Sequence, residues 1–391
     1  MGIRVVIVDD NPHVAWEGRV YPVNATFQHF AAALLDLAGS PVESITSCVP
    51  VRDATTAPNS LLLDPRIRVV RTAPFDGIAG YLRHLPAMLR ANRPVLRAAV
   101  AEADLVWLKV PASNAALVGA LAARAGVARF VWVAGSAADV AAGRFRGPGA
   151  VAARSIGVGY DLMGRMVGVG GRRLVVGVGV VDRGGVVASL VEPAEVRDPG
   201  RRGWPPDPDR ARLVWAGRLA GGKGLEALIA AVARDPRLTL ELLGDGPDGE
   251  RLRALAEASG AHDRITWAGR VTERAVYLER LAAADAFVFP SPAEGFPKVV
   301  LDAFAVGLPV LATRAGALAE LADAHLLAPI ERSDPAAVLA AWNDLRACDP
   351  ATVAEMRRRG HDFAASHTRP AEAARLVACW HEWWPDLPWE R

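Results

Sequence analysis

Cysteine is scarce in this chain of 391 residues: Cys48, Cys348 and Cys379 are scattered, odd in number and in no CxxC or His/Cys spacing. That excludes a disulfide framework, suggests no metal site, and predicts three reduced, structural thiols. Net charge is also nearly absent, at +2, which excludes the basic footprint of a nucleic-acid-binding protein. Aromatic residues make up only 6%. No charge-free apolar run is long enough to span a bilayer. Met1 leads directly into an apolar, strand-like run, so no signal peptide is expected and the predicted location is cytoplasmic. One stretch places Arg83, Arg90, Arg93 and Arg97 among apolar residues, a pattern compatible with an anionic membrane surface. Pro86 and Pro94 interrupt it, and a solvated basic face is the preferred reading.

What is present is a hydrophobic majority of 51% arranged in alternating strand and helix patterns. Strand patterns fall at residues 3–8, 44–49, 67–71, 105–110 and 129–134. Helical patterns lie between them, at about 26–38, 78–90, 95–101 and 114–125, and residues 11–24 read as a loop. This alternation predicts an α/β fold with doubly wound parallel sheets, and the length suits two such domains. Residues 174–181 read as the last strand of the first domain. The glycines at 157–171 do not form a proper dinucleotide-binding unit, because no acidic residue closes it at the needed position. A proline-rich, charged segment then marks a linker. The predicted layout is an N-terminal Rossmann-like, acceptor-binding domain at 1–191, a linker at 192–211, a C-terminal Rossmann-like domain at 212–369, and a terminal helix at 370–391. The terminal helix carries Trp380, Trp383 and Trp384.

The densest chemistry lies at residues 291–304. An apolar strand, 285–289, runs into Ser291-Pro292-Ala293-Glu294-Gly295-Phe296-Pro297-Lys298, and a helix follows to about Ala305. Glu294 therefore stands in a loop at the carboxyl end of a parallel strand, beside a helix start. Open α/β sheets bind ligands there, and a helix N-terminus favours phosphate. Asp302 follows eight residues after Glu294. Carboxylates suit vicinal diols, so two of them around a phosphate-binding helix start suggest a nucleotide sugar. Earlier, Arg218 and Lys223 straddle the loop Gly217-Arg218-Leu219-Ala220-Gly221-Gly222-Lys223-Gly224. A guanidinium fork and an ammonium point charge can together grip a diphosphate.

These stretches resemble retaining glycosyltransferases of family 4 (glycosyl transferases group 1), which have the GT-B fold. The E-x7-E signature of that family reads here as Glu294 and Asp302, and its GRLxxxKG segment matches 217–224. Gly244-Asp245-Gly246-Pro247 resembles the family's GxGP turn. The resemblance implies two Rossmann-like domains facing across a cleft. It implies a nucleotide-sugar donor, with a UDP-sugar expected although the sequence leaves the base open, and transfer of a hexosyl or N-acetylhexosaminyl group to a hydroxyl acceptor. Glu294, Arg218 and Lys223 take the catalytic roles. Gly295, Phe296, Pro297, Lys298 and Asp302 bind the donor, and the Arg270–Val271 turn meets its base. Tyr21, Asn24, Lys109 and Ser136 are candidates for the acceptor site. No cofactor and no metal are expected. The family's N-terminal double glycine and its histidine after a later strand are both missing. A non-catalytic nucleotide-sugar-binding subunit and a sugar-nucleotide epimerase of the same fold therefore stay open as alternatives.

Overall fold

The computed structural model describes residues 2–389 except 59, 61, 135–150, 152–154, 156, 160–161, 163–170, 178, 182–184, 198–202 and 208. Ser136 and most of the glycine-rich 157–171 segment lie outside the described residues. The described chain forms two compact units. One comprises the described residues of Met1–Ala138, Ala152–Val176 and Arg369–Arg391, and the other those of Asp139–Val151 and Gly177–Thr368.

In the first unit, β1 (Ile3–Val8) is followed by a hairpin of β2 (His13–Trp16) and β3 (Arg19–Pro22). The sequence reading took residues 11–24 as a loop. The hairpin pairs antiparallel, Val14 against Tyr21, while β2 also extends the edge of β4 (Val42–Asp53). Two strands of four residues carry too little alternation to be legible locally. They are held by the long neighbouring strand. α1 (Thr26–Asp36), β5 (Ile67–Thr72), α2 (Gly77–Arg83), α3 (Leu85–Ala101), β6 (Leu105–Val110), α4 (Ala115–Ala125), β7 (Ala128–Val133) and β8 (Arg172–Val175) complete the series. α3 runs through Pro94, where an interruption was expected. An interior proline costs about 3 kcal/mol. Burial of Leu96, Ala99 and Val100 on the same helix offsets that cost.

β5, β4, β1, β6, β7 and β8 are neighbours in that order, all parallel. Numbered by their place among these six, this is the doubly wound order 3-2-1-4-5-6, and the order reverses between β1 and β6. Several of the scarce aromatics pack together in this unit. Trp107 and Trp132 lie 5.0 Å apart, and Phe27 meets Trp107 edge-on at 5.0 Å. The chain returns to this unit with α12 (Arg369–Trp383), and its Trp380 packs on Trp107 and Phe130.

The second unit contains β9 (Ala211–Ala216), α5 (Leu225–Arg234), β10 (Leu238–Leu243), α6 (Gly249–Ala258), β11 (Ile265–Gly269), α7 (Arg274–Ala282), β12 (Ala286–Phe289), α8 (Lys298–Ala305), β13 (Val310–Thr313), α9 (Leu318–Asp323), β14 (Ala328–Ile330), α10 (Pro335–Ala347) and α11 (Pro350–Ser366). Its parallel sheet runs β11-β10-β9-β12-β13-β14. This is the same order, with its reversal between β9 and β12. Residues 185–197, divided by the sequence reading between the first domain and a linker, fall inside this unit. Glu195 pairs with Arg274, and the Arg197 amide donates to the Ala305 carbonyl at 2.8 Å. No helix among the described residues is long and apolar enough to cross a membrane.

Candidate functional site

Each sheet carries polar side chains where its strand order reverses. In the second unit the loops after β9 and β12 meet there. Lys223 Nζ donates to Glu294 Oε1 at 2.6 Å, and Ser291 Oγ donates to the same oxygen at 2.7 Å. The Thr313 hydroxyl donates to the Ser291 carbonyl. Glu294 is thus held through one oxygen by partners from both loops. Gly316 has φ +56°, and a Cβ there would sit 2.0 Å from the Glu294 carbonyl oxygen. Only glycine lets that backbone approach the Glu294 loop so closely. Arg218 is exposed beside this loop. Phe296 and Pro297 are buried, and Lys298 opens α8. Arg270 and Val271 follow β11 in the connection to α7.

Asp302 differs from the expected free ribose ligand. It is buried, with 6% of its surface exposed, and both oxygens are engaged. Arg274 Nη2 donates to one at 2.7 Å and Tyr277 Oη to the other at 3.1 Å. Arg274 also grips Glu195 through two bonds of 2.9 Å. Burial opposes the Arg274 charge, but Asp302 and Glu195 outweigh it and raise its pKa. Burial and the nearby Asp302 push the Tyr277 phenol well above its usual range. The Glu195–Arg274–Asp302 chain was not legible in the sequence, because its members are far apart there and no local pattern joins them.

The first unit holds a second polar cluster, after β1 and β6. Lys109, a predicted acceptor residue, donates to Asp9 Oδ1 at 2.7 Å. Asp10 Oδ2 accepts from both the Ser113 amide and the Ser113 hydroxyl, each at 2.6 Å. His13 is fully buried, and its Nδ1 lies 2.8 Å from the Asn11 carbonyl. A carbonyl only accepts, so Nδ1 carries the proton and Nε2 presents a lone pair. Of the other predicted acceptor residues, Asn24 is exposed, bonds with Asn11, and accepts from the Thr26 amide at the start of α1. Tyr21 lies in β3 against Trp16. Neither touches the carboxylates. The two aspartates were visible as the end of the first strand, and their place at a strand-order reversal was the signal available for finding them.

Burial pushes the Asp10 carboxyl up to about 6, with Asp9 adding to the rise and the Ser113 bonds and Lys109 opposing it. A folded-state pKa raised from 3.8 means that this group favours folding below about pH 4. That contribution is lost as pH rises through about 6. Asp10→Asn keeps an oxygen for Ser113 and removes the charge. It is expected to stabilise the protein by up to ~3 kcal/mol at pH 7.5 and by almost nothing at pH 4. Denaturant unfolding of both proteins at the two pH values measures this. An equal effect at both pH values would show that ionisation of Asp10 is not the cause.

Fold and site together define a GT-B protein of two parallel-sheet α/β units. Residues 210–347 match the family described as glycosyl transferases group 1. Among curated proteins it resembles the lipopolysaccharide core biosynthesis glycosyltransferase LpsE of Rhizobium meliloti, 40% identical over 27% of this chain and 30% of that protein. It also resembles the D-inositol 3-phosphate glycosyltransferase of Pseudarthrobacter chlorophenolicus, 35% identical over 50% of this chain and 48% of that one. The matches thus span less than half the length of these relatives. Two solved structures are similar over nearly the whole chain. Sucrose-phosphate synthase from Thermosynechococcus elongatus has a TM-score of 0.65 at 16% identity, covering 97% of this chain and 98% of that one. Anabaena HepE in complex with UDP and glucose has a TM-score of 0.63 at 16% identity, covering 97% and 99%. At these identities the likeness concerns the fold.

Proposed function

We propose that the protein is a retaining glycosyltransferase that moves a sugar from a nucleotide sugar to a hydroxyl acceptor. The observation that carries this reading is the Lys223–Glu294 pair, clamped at 2.6 Å where the strand order of the second sheet reverses, within the stretch that matches the transferase family. Lys223 and exposed Arg218 neutralise the departing diphosphate, where negative charge develops. The start of α8 adds backbone N–H groups to the same task. Glu294 orients the donor sugar, and the Arg270–Val271 turn faces the base. A ribose contact at Asp302 is made beside Arg274 and Tyr277, which already hold the carboxylate.

A UDP-sugar is the donor we favour, supported by the similar fold solved with UDP and glucose. The transferred group is a hexosyl or N-acetylhexosaminyl unit. The departing phosphate oxygen takes the acceptor proton, so the mechanism asks for no separate protein base and no metal. The first unit supplies the acceptor site, and the protein works in the cytoplasm.

The test is thermal stabilisation by UDP, GDP, ADP and dTDP, each beside its sugar conjugates. A ligand at a hundred times its Kd adds about 2.7 kcal/mol. UDP and one UDP-sugar are expected to respond. A response to another nucleotide alone reassigns the base, and silence from all of them overturns the donor site.

A further inference from the structure

The polar cluster of the first unit has a chemical asymmetry that its own contacts do not use. Asp9 accepts only through Oδ1, from Lys109 and from the Asn11 amide at 3.2 Å. Asp10 accepts only through Oδ2. Asp9 Oδ2, Asp10 Oδ1 and His13 Nε2 are buried and have no hydrogen-bond partner. All of them are acceptors, His13 Nε2 because its ring proton is on Nδ1. Asp9 and His13 are 4% and 0% exposed. A buried acceptor left without a donor costs about 1–3 kcal/mol, and more when it is charged, so such atoms together mark a place built to receive donors. The cluster sits beyond the paired strands β1 and β6, between which the strand order reverses, the position at which doubly wound sheets receive ligands. The nearby ammonium, Lys109, is already paired with Asp9, which leaves the cluster hostile to phosphate or carboxylate.

We propose that the first unit binds a neutral polyhydroxylated ligand, a sugar or cyclitol without phosphate, whose hydroxyls donate to Asp9 Oδ2, Asp10 Oδ1 and His13 Nε2. The name acceptor for this ligand rests on the transferase reading, but its binding does not. Hydroxyl groups satisfy the bare oxygens and can also accept from the edge of the site. An anionic ligand would add charge beside two carboxylates. The raised Asp10 pKa of about 6 fits a carboxylate whose second oxygen lacks a donor until the ligand supplies one. Asp9, Lys109 and Tyr81 are the other titratable groups coupled to Asp10, and Asp9 and Lys109 also act on His13.

The experiment is titration of the full chain with glucose, myo-inositol, glucosamine and glucose 6-phosphate. Saturation-transfer NMR and calorimetry are run with and without saturating UDP. Glucose or myo-inositol is expected to bind saturably, with glucose 6-phosphate at least tenfold weaker than glucose. Asp10→Asn, which keeps the Ser113 bonds, is expected to weaken the neutral ligand at least tenfold, with UDP affinity unchanged within twofold. Its raised stability at pH 7.5 shows that the loss is not unfolding, and Asp10→Ala should show the same loss. Preference for the phosphorylated sugar, equal binding by the Asp10 variants, or no binding of any probe would each overturn the proposal. Tightest binding by glucosamine, lost equally in Asp10→Asn, would also overturn it, because it replaces hydroxyl recognition with ammonium recognition. If the sugars bind while no nucleotide does, the donor reading fails and this one stands.

Discussion

Alanine at position 224 is expected to destabilise the protein by about 3 kcal/mol and to weaken nucleotide binding with it. Gly224 sits immediately before α5 with φ +70°, and its carbonyl accepts from the Leu228 amide at 3.1 Å. A Cβ on it would lie 2.1 Å from the Pro290 carbonyl oxygen, 2.7 Å from the Pro290 carbonyl carbon and 2.8 Å from Ser333 Oγ. The left-handed conformation costs an alanine about 1–2 kcal/mol. The close contact adds about 1–3 kcal/mol, because the nearest atom is backbone and cannot rotate away. Pro290 directly precedes Ser291, whose hydroxyl holds Glu294, so moving that backbone disturbs the carboxylate as well. Gly260→Ala is the control. Gly260 has φ +69° with nothing within 4 Å of its would-be Cβ, so it pays the conformational cost alone. Denaturant unfolding of both variants separates the terms. Equal destabilisation would mean that the Pro290 contact relaxes freely and that the close approach of the two loops is not a constraint.

Replacing Lys223 by alanine is expected to lower sugar transfer by about 10²–10³, the usual loss when one preorganised group facing developing charge is removed. Lys223 is half-buried, and its Nζ pairs at 2.6 Å with Glu294, whose side chain is 12% exposed. Without the ammonium, Glu294 keeps the Ser291 hydroxyl, and on the transferase reading proposed above the departing diphosphate loses a point charge. The loss should appear mainly in kcat, since charge on the leaving group is greatest in the transition state. Steady-state transfer from the UDP-sugar that stabilises the protein measures it, with Lys223→Arg as the charge-conserving comparison. Unchanged kcat in Lys223→Ala would remove Lys223 from catalysis. It would revive the reading of a nucleotide-sugar-binding subunit that does not itself turn over.

The sequence by itself determined the α/β architecture, the existence of two units and the identity of the Glu294 loop. Those features rest on short-range physics. An apolar run of four to six residues buried on both faces is legible locally, and so is a loop that passes from such a strand into a helix start. Lys223 and Glu294 were legible as members of one donor site through the family pattern, but their direct pairing across 71 residues was not.

The tertiary structure decided what depends on neighbours distant in the chain. It made a hairpin of residues 13–22 by lending them the edge of β4, and it carried α3 through Pro94 by burying the helix's apolar face. It enclosed Asp302 with Arg274, Tyr277 and Glu195, although a carboxylate on a helix reads as solvated or ligand-facing. It also brought Asp9 and Asp10 against Lys109 and Ser113, 100 and 103 residues away, and left one oxygen of each without a donor. Strand order places these groups together, and strand order is set by long-range pairing that no local stretch of sequence records.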